Sequence, residues 1–140
     1  MEAGWEVFDH GADIGVRGIG QTLEEAFVQG AKAMFSLMTD DLQSVSCSSH
    51  IQVRAEGYDL ESLFVAWLNA LLTESDIHAL LLADFEVRLG EEYTLTGTAA
   101  GEAFFHRRQE RGVEVKGATF CQTAVYERAG WWVAQCVVDV

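Results

Sequence analysis

The two ends of this 140-residue chain carry side chains suited to holding a cation. Asp9, His10 and Asp13 lie in the run Asp9-His10-Gly11-Ala12-Asp13-Ile14-Gly15, and Asp139 interrupts the apolar run Val137-Val138-Asp139-Val140. An acidic residue closing an apolar strand is unusual for a core element, because isolated buried carboxylates are costly and are normally paired or metal-bound. If Asp13 and Asp139 meet, they can share a cation. The Val140 carboxylate adds a third oxygen donor, provided the natural chain ends there. Hard oxygen donors suit Ca²⁺, Mg²⁺ or Mn²⁺. Spacing leaves open whether Asp9 or His10 joins them. Two plainer readings compete: an Asx-rich turn whose side chains satisfy backbone amides, and a final strand that runs into solvent, where Asp costs nothing.

The elements that must position these residues follow from periodicity. Trp5 to Phe8 and Ile14 to Ile19 read as short strands around a turn containing Gly11. Thr22-Leu23-Glu24-Glu25 is a capping box. It opens a helix with Leu23, Ala26, Phe27, Gly30, Ala31, Met34, Phe35 and Met38 on one face. Ser44 to Gly57 is extended, and Asp59 caps a second helix with the stripe Leu60, Leu63, Phe64, Trp67, Leu68, Leu71 and Leu72. The period then becomes two. Phe85, Val87 and Leu89 alternate with Glu86 and Arg88, and Tyr93, Leu95 and Gly97 alternate with Thr94, Thr96 and Thr98 beyond the turn Gly90-Glu91-Glu92, which reads as a hairpin. Val113 to Glu127 and Trp131 to Asp139 form a second hairpin, turning at Ala129-Gly130. Antiparallel or mixed strands with two segregated amphipathic helices predict a compact α+β fold, in one domain spanning residues 1–140.

Composition narrows the function. Nine Lys and Arg against 22 Asp and Glu give a net charge of −13. Autonomous nucleic-acid binding draws on Lys and Arg to neutralise phosphates, so this balance argues against it. An acidic chain can still dock on a basic partner, collect cations, or simply stay soluble. No apolar run approaches the ~18 residues of a membrane helix. Met1-Glu2-Ala3 opens no signal segment, which predicts a soluble cytoplasmic protein. Cys47, Cys121 and Cys136 are odd in number and widely spaced, which predicts reduced, mostly buried thiols.

Two further features carry charge or chemistry. Lys116, in Glu114-Val115-Lys116, is either a solvated gatekeeper on an edge strand or a cation near the two aspartates. His106, Arg107, Arg108 and Arg111 form a basic run in a loop, solvated or touching RNA or an acidic partner. Gly18-Ile19-Gly20 lacks the rest of a phosphate loop. No nucleophile is tied to a base, so no catalytic triad can be argued.

Four stretches in order give the chain a resemblance to the archease family: Asp9 to Gly15, Leu23-Glu24-Glu25-Ala26-Phe27, Glu114-Val115-Lys116-Gly117-Ala118-Thr119-Phe120, and Val137 to Val140. The resemblance implies two strand-helix-strand-strand modules, one inserted in the other. It implies a divalent cation bound through Asp13 and the penultimate Asp139, with Lys116 required for function. It further implies an activator of the RtcB-type RNA-splicing ligase. That enzyme uses Mn²⁺ and GTP and forms a guanylylated histidine before joining RNA ends in tRNA splicing or repair. Such a protein is not itself an enzyme, and its association with RNA is indirect. The chain departs from the family pattern in Phe120-Cys121, where Tyr-His is usual, and in Gly11, where Thr is usual. Two other readings stay open. One is a stand-alone metal-dependent phosphoesterase using Asp13, Asp139 and His10. The other is an acidic chaperone-like module without a metal.

Overall fold

A computed structural model describes residues 1–104 and 112–140. The basic run at His106, Arg107, Arg108 and Arg111 lies outside the described residues.

The chain opens with a hairpin, β1 (Gly4–His10) and β2 (Asp13–Gly20), turned by Gly11 and Ala12. Gly11 has φ +61, the left-handed backbone that a two-residue hairpin turn requires. Helix α1 (Leu23–Ser36) follows, with the Thr22 side chain accepting from the Glu25 N–H. Glu25 reaches back to the N–H of Gln21 at 2.8 Å, one residue earlier than the usual reciprocal partner. A short 3-10 turn at Leu42–Ser44 leads to β3 (Ser49–Glu56). Helix α2 (Leu60–His78) carries a complete capping box between Asp59 and Ser62. It ends at Ala79 in the left-handed conformation. The hairpin β4 (Leu80–Leu89) and β5 (Thr94–Ala103) comes next, with a bulge between Leu82 and Asp84. The chain closes with β6 (Gly117–Ala118), β7 (Ala124–Arg128) and β8 (Trp131–Asp139).

The strands form two antiparallel sheets. One runs β1-β2-β8, with β6 and β7 both pairing β8; the other is β3-β5-β4. The units β2-α1-β7-β8 and β3-α2-β4-β5 share one topology, in which the last strand sits between the first two strands. The second unit is inserted in the first, after α1. The fold is therefore the expected α+β arrangement of nested modules. One expected strand differs: Val113 to Glu127 is not continuous. It breaks into β6 and β7, separated by a turn at residues 119–123, and both halves pair β8.

The core lies between the sheets and the two helices. Phe27, Met34 and Phe35 of α1 and Leu63, Phe64, Trp67, Leu68 and Leu71 of α2 are all buried. Close approach requires two glycines. A β-carbon at Gly97 would meet the Trp67 ring, and one at Gly18 would overlap the α1 backbone at Ala26 and Gly30. Trp67 donates its indole N–H to the Phe27 carbonyl at 3.1 Å, so the largest buried side chain also ties the helices together.

Candidate functional site

The β2–β8 pairing reaches Ile14↔Val138, and one further step in the same register sets Asp13 opposite Asp139. His10 pairs Asp13 on the other side, and Gly117 pairs Asp139. His10, Asp13, Asp139 and Gly117 therefore form one row across the end of the sheet. Residues directly opposite in antiparallel strands share a face and hold their β-carbons ~5 Å apart. The face is the one turned away from α1. Gly18 and Gly20 of β2 meet α1, so Asp13, Gly15 and Arg17 point outward by alternation. Arg17 there bonds Gln135 at 2.8 Å and Glu6 at 2.6 Å, and its guanidinium lies 4.6 Å from the Phe8 ring centroid.

The ends of the chain thus converge as the acidic spacing predicts. The N–H of Val140 donates to Asp13 Oδ1 at 3.4 Å. The burial argument, however, does not hold. Asp139 is exposed and Asp13 only half-buried, so desolvation does not force a cation upon them. The pressure is mutual repulsion instead: two like charges face each other across a strand pair, beside the backbone end at Val140. Two carboxylates in this position fit a hard cation that completes its shell with water or a partner's groups. Among the described residues, no group of three or more His, Cys, Asp or Glu is placed to hold a metal. Asp9 is exposed, and by alternation it points to the opposite face from His10.

Lys116 is exposed immediately before β6, and its N–H donates to the Asp139 carbonyl at 2.8 Å. The β6–β8 register, carried one step, sets it level with Val140. The outer edge of β6 is held by Asn69 of α2. Its amide accepts from the Ala118 N–H at 2.9 Å and donates to the Ala118 carbonyl at 3.1 Å. Periodicity did not point to Asn69. Its one signal is a lone amide inside the run Trp67-Leu68-Asn69-Ala70-Leu71.

The cysteines divide unexpectedly. All three are free, but Cys47 and Cys121 are exposed and only Cys136 is buried. Cys136 pairs Val16 on the face toward α1, and burial pushes its thiol up to about 12. Burial also raises Cys47, helped by nearby Asp84 and Glu102. Cys121 sits in the turn between β6 and β7, where its Sγ lies 3.7 Å from His10 Nε2.

The sequence and the fold both have known relatives. Residues 5–140 match the model of the archease protein family. Protein archease of Pyrococcus furiosus is 40% identical, covering 97% of this chain and 98% of its own. Protein archease of Sulfurisphaera tokodaii is 36% identical, over 97% and 98%. Protein 1598 of Methanobacterium thermoautotrophicum superposes with a TM-score of 0.83 at 34% identity, over 98% and 99%. A Thermotoga maritima archease, described as a possible chaperone, shares the fold at a TM-score of 0.63 and 16% identity, covering 95% of this chain and 94% of its own. No helix among the described residues is long and apolar enough to cross a membrane. The chain belongs to the archease family.

Proposed function

We propose that this protein is a cytoplasmic, non-catalytic cofactor of an RtcB-type RNA-splicing ligase, promoting ligase guanylylation and multiple turnover. The observation that carries the reading is the cross-strand placement of Asp13 beside Asp139 at one end of one sheet, with the Lys116 backbone bonded to the Asp139 carbonyl at the same end. Membership of the archease family supplies the partner class.

In this reading Asp13 and Asp139 hold a divalent cation, with the Val140 carboxylate joining where it ends the natural chain. The ion supplies concentrated positive charge against phosphate charge that develops in the ligase's nucleotide site. Asp13 and Asp139 orient it by their fixed cross-strand placement. Lys116, exposed and without an ion pair among the described residues, is free to meet a nucleotide phosphate as a point charge. The rest of the acidic surface suits a basic partner rather than free RNA, so contact with tRNA is through the ligase.

A ligase assay with and without this protein tests the reading. Lys116→Ala keeps the backbone bond to Asp139, so it should fold within about 0.5 kcal/mol of the original. It should also lose stimulation of ligation. Full stimulation by Lys116→Ala or by Asp139→Ala removes the reading.

A further inference from the structure

We propose that the outer face of the β3-β5-β4 sheet is self-complementary, and that two copies of this chain form a weak two-fold dimer through it. The proposal is independent of the ligase reading, because this face belongs to the inserted module and the acidic end lies on the other sheet.

The inner face of the sheet packs on α2, where Gly97 meets the Trp67 ring and Val53 and Phe85 are buried. Alternation turns the residues between them outward. Register arranges these in rows across β3, β5 and β4: Gln52–Thr98–Glu86, then Arg54–Thr96–Arg88. All are exposed. None of these side chains makes an ion pair or a hydrogen bond among the described residues. Threonines therefore floor the face, and longer unpaired side chains stand along both of its sides.

A two-fold axis laid across the strands, between these two rows, sets each row of one copy against the other row of its partner. Each strand then lies over its own counterpart, running in the opposite direction. Arg88 faces the partner's Glu86, Arg54 faces the partner's Gln52, and Thr96 faces the partner's Thr98. Symmetry makes every contact twice. One row further out, Glu56 faces the partner's His50. Other axes fail on charge. An axis along β5 would set Arg54 against the partner's Arg88, and an axis through either row would set Arg54 or Glu86 against its own copy. The charges thus select one arrangement.

The chain carries −13 overall, which opposes self-association at long range. On this face Arg54 and Arg88 offset Glu56 and Glu86, so two copies meet here without local repulsion. Salt at about 0.15 M screens the remaining charges beyond ~8 Å. Strands ~4.8 Å apart and outward rows ~6.8 Å apart give the face roughly 15 by 25 Å per copy. That is about half of the ~800 Å² per partner in a standard stable interface, which places the dimer in the weak, concentration-dependent class.

Sedimentation equilibrium of the full chain at physiological salt, from micromolar to millimolar concentration, is the test. The original chain should rise from monomer toward dimer mass. Arg88→Glu sets like charges together at both symmetric contacts and should weaken association by at least about tenfold, and Glu86→Arg should do the same. An equimolar mixture of these two variants again opposes acid to base at both contacts, and should recover the association of the original. A chain that stays monomeric at millimolar concentration overturns the proposal. So does association that survives Arg88→Glu, or that mixing the two variants fails to restore.

Discussion

Asp139→Asn should make the cation-free protein more stable and the cation-loaded protein less so. The substitution keeps shape and backbone pairing. Asp139 contributes its carbonyl to the Lys116 N–H and its backbone to Gly117, while no hydrogen bond of its side chain is found among the described residues. Only the charge is removed. At ~5 Å across the strand pair, two unit charges in water repel by about 0.8 kcal/mol. That agrees with the roughly 0.2–1 kcal/mol assigned to cross-strand pairs. Without metal and at low salt, Asp139→Asn should therefore gain about 0.5–1 kcal/mol. For a chain of this size that is about 2–4 °C in melting temperature. Moderate salt should shrink the gain, since both groups face water and the Debye length is ~10 Å at 0.1 M. With a divalent ion at a hundred times its dissociation constant, the original chain gains about 2.7 kcal/mol and the variant does not, so the order inverts. Thermal melts in EDTA and in excess Ca²⁺ or Mn²⁺ read both halves. A variant no more stable than the original in EDTA refutes the repulsion. A variant that keeps the full metal-induced rise refutes the shared site.

Cys136 gives a pH signature. Its thiol is held near 12 in the fold against about 9 when exposed, so between those values the folded state binds the extra proton. Stability from this group is complete below pH 9 and falls above it, by up to about 1.4 kcal/mol per pH unit. Urea unfolding from pH 8 to 10.5 should show a shallower decline for Cys136→Ala than for the original, and parallel curves would count against the burial argument. Gly18→Ala should cost about 1–3 kcal/mol by forcing β2 away from α1, read as a lower urea midpoint. An unchanged midpoint would mean that helix and sheet have slack there.

The helices were legible because their signals are local. Thr22 and Asp59 cap where their side chains suggest, and the stripes containing Phe27 and Trp67 are the buried faces. The β4–β5 hairpin was equally plain from alternation around Gly90, although the bulge near Asp84 was not. The last strands were harder. Val113 to Glu127 reads as one apolar alternation, but pairing with β8 is made twice, by Gly117–Ala118 and again by Ala124–Arg128. What separates them is a turn built from Thr119 and Thr123 side-chain bonds and a left-handed Gln122, none of which has a period. The exposure of Cys121 has the same origin. Cys121 falls in that turn rather than in a strand.

The acidic site was legible in part because chemistry and position agreed: two aspartates and nothing obvious for them to do inside a core. Its supports were not. Asn69 comes from the inserted module, yet it clamps the edge strand that carries Lys116. The insertion therefore does more than extend the core. It fixes β6 from one side while Asp139 fixes the residue before it from the other. Lys116 and the two aspartates thus depend on three segments remote in sequence, joined through β8. A site so assembled exists only when both modules have folded and packed together, so its geometry is set by the packing of the whole fold rather than by any one segment.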